Sequence, residues 1–462
     1  MKESRNSFSG SLGFVLASAG SAVGLGNIWR FPYLAARDGG GLFLLLYILL
    51  AITFGFTLLI TEVAIGRRSR QGPLTAYKFF HKKWAFIGIL SFIVPYIIYP
   101  YYCVIGGWVL KYLTTYATFN AAEPVADGYF SNFISNQWSP LIYMAVFAVL
   151  CFYVVYRGVE KGIERYSRII MPILLLMVVA ICLYSLTISH TDANGVTRTG
   201  LQGAAVYFIP NFDGITVKKF MMIALDATGQ LFYSLSIAMG IMVTYGSYMK
   251  RSVNLGKAVD RIEIFDTSIA ILAGMMIIPA VYVFMGTEGM GAGPGLMFVA
   301  LPKVFDSLGS FGPIFGLVFF LTVTFAALTS AVSILEATVA SFMDKFHWSR
   351  RKAVITMSAT GFVWSVIVCL GYNIFYFEYT LPNGAVAQIL DIFDYISNNV
   401  LMPFLAICTC IMIGWVVKPR LLIGEIRMNG YKFHRKKLYI IMLRYVVPVL
   451  LTILLISATG IF

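Results

Sequence analysis

Apolar residues run along this chain in long unbroken blocks, separated by short polar stretches. Eleven blocks, at about 11–36, 41–66, 86–116, 139–156, 167–187, 219–248, 262–285, 312–343, 353–372, 386–416 and 438–461, reach the ~17–25 residues a helix needs to cross hydrocarbon. None alternates apolar and polar positions over about ten residues, as the strands of a membrane barrel do. The pattern predicts an all-α polytopic membrane protein, with 1–462 forming a single membrane domain. The longest stretches outside the blocks on one side are 187–218 and 286–311. Gly289, Gly291, Gly293, Pro294, Gly295 and Pro302 predict that the second turns back as a short helical hairpin. The stretch RGVEKGIERYSR (157–168) sets Glu160 and Glu164 against Arg157, Lys161, Arg165 and Arg168. It reads as a solvated helical connector held by i,i+4 charge pairs.

Composition agrees with the pattern. The 462 residues are 59% hydrophobic and 12% charged, with mean hydropathy +0.80, and that charge fraction is about half the ordinary soluble value. The net charge of +14 raises the question of nucleic acid, and its distribution answers it. Of 35 Lys and Arg, 27 lie in the N-terminus and alternate loops, six on the opposite side, and two (Arg30 and Arg444) within blocks. This is the positive-inside asymmetry. It predicts a cytoplasmic N-terminus, an external C-terminus and no nucleic-acid partner. The six cysteines all fall inside apolar blocks and read as small packing residues. The short polar MKESRNSFSG is no cleaved signal peptide, so the first helix is retained. No nucleophile–base pair, metal cluster or phosphate loop points to an enzyme. No feature calls for an obligate protein partner.

Two blocks are interrupted. SAGSAVGLGNIWRFP (18–32) puts three glycines, an amide and a guanidinium where hydrocarbon should be, and GQLFYSLSIAMG (229–240) carries Gln230, Tyr233, Ser234, Ser236 and Gly240 at mid-depth. Non-helical backbone at that depth survives only when buried in protein or lining a cavity. The blocks are the first and sixth, so an offset of five inverts their topology. Residues 10–187 and 218–416 then form two inverted five-helix repeats, with 438–461 as helix 11. Matched broken helices in two inverted halves point to a transporter's binding site near the bilayer midplane.

The stretch AGSAVGLGNIWRFPYLAARDGGG (19–41) resembles the first-helix signature of the neurotransmitter:sodium symporter family. RGVEKGIER (157–165), GQLFYSLSIAMGIMVTYGSY (229–248) and LTSAVSILEATVASFMD (328–344) resemble its fourth–fifth connector, sixth helix and eighth helix. The likeness runs through essentially the whole chain. Ending after eleven helices resembles the bacterial branch that includes tyrosine and hydrophobic amino-acid transporters. The resemblance implies a leucine-transporter-like fold, 5+5 inverted repeats and alternating access.

It also implies a site. A zwitterion in a low-dielectric cavity needs both charges compensated, and free amide groups at a helix break favour a carboxylate. Leu25 and Gly26 match the family positions whose amides do this, and Tyr102 the tyrosine that joins them. Gly24 stands where amine carriers of the family have an aspartate, so the substrate should bring its own carboxylate. Ile98, Tyr233, Ser236, Ala238, Met239, Ser330 and Ile334 should set side-chain specificity; they are mostly apolar and uncharged. Ala238 and Met239 favour a larger, aromatic or branched, neutral L-amino acid.

Two sodium sites are implied. The first takes Ala22, Asn27, Ser234 and a seventh-helix residue that falls on Asp266, where the family asparagine stands. The second takes Gly20, Val23, Ala326, Thr329 and Ser330. Chloride-dependent members hold an anion partly with a serine that aligns with Ala270. Tyr47, Gln230 and Ser234 match other parts of that site, but Ala270 has no hydroxyl, so a carboxylate at Asp266 implies chloride independence. An alternative for Asp266 is a pair with Arg261. Arg30 and, by spacing, Asp394 match the external gate. Arg5 and Asp344, with Phe8 and Tyr248 beside them, match the internal one. Glu62 and Glu336 are further intramembrane carboxylates, and Glu336 is either structural or proton-linked. The reading is a sodium-coupled, chloride-independent amino-acid symporter of the bacterial inner membrane. A proton-driven carrier and a non-cycling amino-acid sensor of the same fold are the alternatives.

Overall fold

The structure, a computed structural model, describes residues 7–191, 195–212, 214–286 and 295–460. Among them, nine helices are long and apolar enough to span a bilayer: Gly41–Ser69, Lys82–Ala117, Ser139–Tyr156, Val159–Thr187, Leu255–Met285, Gly309–Phe346, Arg350–Leu370, Ile389–Val416 and Lys436–Ser457. Ser11–Ala22 and Gly26–Arg37 form a further span bent by 50°.

Both interrupted blocks are broken helices. In the first, Val23 and Gly24 leave the helical path between its two halves. In the sixth, Val217–Ser234 ends at mid-chain and Ile241–Tyr248 resumes after six non-helical residues. Within that stretch Ser236 (φ 53°), Ala238 (φ 60°) and Gly240 (φ 69°) are left-handed. Two of these are not glycine, which carries a backbone cost, so the surroundings must hold them there.

The broken helices sit at the centre. Ser11–Ala22 packs on Leu255–Met285, Gly312–Phe346 and Arg165–Thr187, while Gly312–Phe346 lies along Ala85–Ala117. Ile241–Tyr248 crosses Phe56–Ser69 closely, and small residues make the crossing possible. A Cβ on Gly66 would meet the Val243 carbonyl at 1.9 Å, and one on Gly246 the Val63 carbonyl at 2.3 Å. This is the small-residue logic of membrane helix contacts, where apolar burial alone gives no drive to associate.

Three connections add detail to the sequence reading or change it. The 187–218 stretch holds an antiparallel hairpin (Ser189–Thr191 with Thr197–Thr199) and a helix, Gly200–Phe208, started by a Thr199–Gln202 capping box. In 286–311, Leu296–Ala300 and Leu301–Asp306 are helical, while Gly289, Gly291, Gly293 and Pro294 lie outside the described residues. The 157–168 connector does hold one i,i+4 pair, Glu164 to Arg168 at 2.5 Å. It is not simply solvated, however. Glu164 is 2% exposed and accepts the Ser9 amide at 2.8 Å, so it clasps the N-terminal segment.

Candidate substrate and sodium sites

The break in the first helix frees backbone groups that side chains then take up. Leu25 N–H donates to the Tyr102 hydroxyl at 3.2 Å, and Gln230 Nε2 donates to the Gly26 carbonyl at 2.9 Å. Glycine at 24 is a packing requirement. A Cβ there would lie 2.5 Å from Ser330 Oγ and 2.8 Å from the Tyr102 hydroxyl. Gly26 is covered by Tyr233, whose Cδ1 would stand 2.4 Å from an added Cβ.

These groups surround a small cavity of about 20 Å³ lined by Ser21, Ala22, Gly24, Gly26, Ile98, Tyr102, Tyr233, Ser236, Met239, Ser330 and Ile334. Ten of the eleven were expected from sequence. Ser21 was missed; its hydroxyl is 3.2 Å from that of Ser236, and its carbonyl accepts from Ser330 at 2.8 Å and Ser236 at 3.1 Å. Its signal was its place in the small-residue run beside Ala22. Ala238 does not line the cavity. Its amide donates to Glu62 Oε1 at 2.7 Å, which clamps the sixth-helix turn. A void this size holds little more than one water, so an amino acid enters only when the lining moves.

Two oxygen clusters flank the cavity. In the first, Ser234 Oγ lies 2.8 and 2.9 Å from the Asp266 carboxylate oxygens and 3.1 Å from Asn27 Oδ1, while Asn27 Nδ2 donates to Asp266 Oδ1 at 2.8 Å. One hydroxyl hydrogen faces three acceptors, an excess of oxygen that suits a hard monovalent cation. Asp266 is fully buried, and Asn27 and Ser234 are its partners in place of the exposed Arg261. In the second cluster, Ser330 Oγ faces the carbonyls of Gly20 (3.4 Å) and Val23 (3.5 Å) besides that of Ser21. Thr329 Oγ1 bonds its own preceding turn at Phe325 and Ala326, the habit of hydroxyls inside helices. The Ala326 carbonyl and the Thr329 hydroxyl are therefore 3.1 Å apart. The first cluster offers amide, hydroxyl and carboxylate oxygen and the second carbonyl and hydroxyl oxygen, and among the described residues no three His, Cys, Asp or Glu gather as metal ligands.

The sequence matches the profile of the sodium:neurotransmitter symporter family over residues 5–127 and 129–461. The chain belongs to that family. It is 34% identical to the uncharacterized sodium-dependent transporter YhdH of Bacillus subtilis over 457 residues, 97% of each chain. An uncharacterized sodium-dependent transporter of Methanocaldococcus jannaschii, MJ1319, is 31% identical over 89% of this chain and 82% of its own. Among solved structures, MhsT in complex with L-phenylalanine superposes with a TM-score of 0.85 at 34% identity, over 98% of this chain and 100% of that one. The protein is thus a sodium-dependent symporter with the leucine-transporter fold, from a family of carriers rather than enzymes.

Two thin barriers bound the symporter's cavity. Outside it, the Arg30 guanidinium stands 6.0 Å from the Tyr233 ring and lines a vestibule of about 170 Å³ with Asp226, Asn398 and Leu454. The expected Arg30–Asp394 ion pair is not formed. Asp394 Oδ1 instead accepts from Asn398 at 2.5 Å, and among the described residues no carboxylate lies within 4 Å of Arg30. Sequence reading missed a neighbouring cluster in which Arg37 bridges Asp38, at 2.8 Å, and Asp226. On the other side, Phe8 packs edge-on against Phe14, Tyr245 and Tyr248 and donates its amide to the Tyr248 carbonyl at 3.2 Å. Tyr248 OH donates to Glu336 at 2.7 Å, and Arg350 pairs with Glu336 at 2.5 Å. Asp344 accepts the Gly72 amide. Arg5 lies outside the described residues.

Proposed function

We propose that this symporter couples inward sodium movement to uptake of a neutral, hydrophobic or aromatic L-amino acid, without chloride. The observation that carries this reading is Gly24. With two hydroxyls in the space of its missing side chain, no carboxylate fits there to meet a substrate ammonium alone, while the adjoining Leu25 amide and Tyr102 hydroxyl favour a carboxylate. The L-phenylalanine held by MhsT in its crystal structure supports the class of substrate. Apolar Ile98, Met239 and Ile334 support a neutral side chain.

Sodium is a second cargo. Asn27, Ser234 and Asp266, with the Ala22 carbonyl and the substrate carboxylate, would hold one ion; Gly20, Val23, Ala326, Thr329 and Ser330 would hold the other. Asp266 supplies a fixed negative charge beside the first ion, with Ala270 adjacent and no hydroxyl to hold an anion. Each ion moving down ~100 mV contributes about 2.3 kcal/mol to accumulation. Alternating access follows if Arg30, Tyr233 and Asp394 close the outer path while Phe8, Tyr248, Asp344 and Arg5 release the inner one. The arrangement in the membrane is then eleven spans in 5+5 inverted repeats (10–187 and 218–416, then helix 11), in a bacterial inner membrane with the N-terminus cytoplasmic and the C-terminus external. No obligate protein partner is required.

Proteoliposomes carrying a sodium gradient and no proton gradient test the coupling, with each of the twenty amino acids offered in turn. Uptake of a few apolar amino acids, unchanged when gluconate replaces chloride, is expected. Uptake driven by a proton gradient alone would favour the proton carrier, and binding without uptake a sensor.

A further inference from the structure

The connector before the last membrane helix is the most basic part of the chain, with seven Lys and Arg between 418 and 437 and one carboxylate, Glu425. Part of this charge is internally matched. Glu425 is 1% exposed and holds Arg67 at 2.8 Å and Arg68 at 3.6 Å. Arg435 holds Asp260 at 2.8 Å and Glu263 at 3.1 Å.

Of the cations left unmatched, the fold gathers four. Arg420, Arg427, Lys436 and Arg444 line one cavity of about 670 Å³, whose lining contains no acidic residue. Among the described residues none of the four has a carboxylate within 4 Å. Arg444 is the most demanding of them. It lies eight residues into the Lys436–Ser457 helix, some 12 Å along its axis. Its Nε donates to the Gly414 carbonyl at 2.8 Å and its guanidinium stands 5.7 Å from the Trp415 ring. Its remaining donors find no protein acceptor among the described residues. A cation inside a membrane helix is costly and usually serves a partner or pathway, and here every other charge in the cavity repels it. An anion seated there is attracted by all four.

The surroundings indicate where that anion comes from. Ile423 and Ile440 give the cavity an apolar wall beside its cations. The Lys436–Ser457 helix is the most peripheral span, with 22% of its apolar window buried, and it shows Ile441, Tyr445 and Val449 on its outer face. A ligand with a phosphate head and an apolar body fits this gradient, and a free ion uses only half of it. Basic pockets between membrane helices on the cytoplasmic side are suited to anionic headgroups. We propose that this cavity seats the phosphate of an anionic phospholipid, with its acyl chains against the outer face of the last helix.

Native mass spectrometry of the purified full-length protein, titrated with phosphatidylglycerol or phosphatidylcholine of identical chains, tests the site. Preferential retention of phosphatidylglycerol is expected. Arg427→Gln and Arg444→Gln should each lower it about fivefold, and Arg444→Lys should largely preserve it. Lys432→Gln removes a charge from the same connector outside the cavity and should change nothing. Arg427 is exposed, so its variant remains informative if Arg444→Gln fails to fold. Equal retention of the two lipids overturns the proposal, as does an effect of Lys432→Gln matching that of Arg427→Gln. Inorganic phosphate binding as well as the lipid, through the same arginines, overturns the lipid assignment.

Discussion

At position 24 a single added methyl group would separate a working site from a spoiled one. Gly24→Ala would force the Tyr102 hydroxyl or Ser330 Oγ from its place and loosen the hold of Tyr102 on the Leu25 amide. Charge-assisted hydrogen bonds contribute roughly 1.5–3 kcal/mol each, so amino-acid affinity should fall at least about tenfold with the protein still folded. Sodium-dependent calorimetric binding measures this, and wild-type affinity in the variant would sink the carboxylate assignment. Asp266 carries the companion prediction. Asp266→Asn keeps a ligating oxygen but removes the buried charge, so uptake should drop sharply. Adding Ala270→Ser should restore part of it only when chloride is present. Uptake by the double variant that ignores chloride would refute that role for Asp266. Both residues were legible because their types are anomalous in a membrane helix. Ser21 was not, because its carbonyl matters only once the break has freed it. The Arg30–Asp394 pair was expected too readily because a gate contact belongs to one conformation, while spacing reports only what is within reach.

At the scale of elements, the long spans were legible because lipid, as solvent, imposes one composition on whatever it touches. The broken helices were legible for the opposite reason, since glycine, amides and hydroxyls are expensive in hydrocarbon unless they serve something. The Ser189–Thr191 and Thr197–Thr199 hairpin was not; three-residue exposed strands are too short to show a period. The left-handed backbone at Ser236 and Ala238 was equally hidden, because neither residue favours it. What holds it is distant in sequence, namely the carboxylate of Glu62 receiving the Ala238 amide. Glu62→Ala would leave that buried N–H unpaired, at a cost of about 1–3 kcal/mol, and free the turn to relax. The thermal midpoint in detergent should fall, and hydrogen exchange around 235–240 should quicken while the Leu255–Met285 helix stays protected. Unchanged exchange in the turn would show that Glu62 does not hold it.

For the whole molecule, the basic side is closed by a chain of contacts that no single segment predicts. Ser9 is caught by Glu164, Phe8 by three aromatic rings, and Tyr248 by Glu336. Glu336 in turn holds Arg350, whose guanidinium donates at 2.8 Å to the Val155 carbonyl at the end of the Ser139–Tyr156 helix. The sixth, eighth and ninth blocks are therefore joined at one carboxylate, and the fourth through Arg350, which supports the structural alternative for Glu336. The Glu336 side chain is 0% exposed and that of Arg350 15%. Removing one partner of such a pair strands the other charge and costs about 3–5 kcal/mol. Glu336→Gln and Arg350→Gln should each lower the thermal midpoint and expose the inner path to proteolysis near Phe8. The double variant leaves no unmatched charge, so it should recover much of the lost stability while its inner gate opens more readily. A double-mutant cycle in detergent gives the coupling directly. Losses that simply add would mean that the two residues act separately, and a pH-dependent sodium-coupled current abolished by Glu336→Gln alone would return the proton-linked reading of this carboxylate.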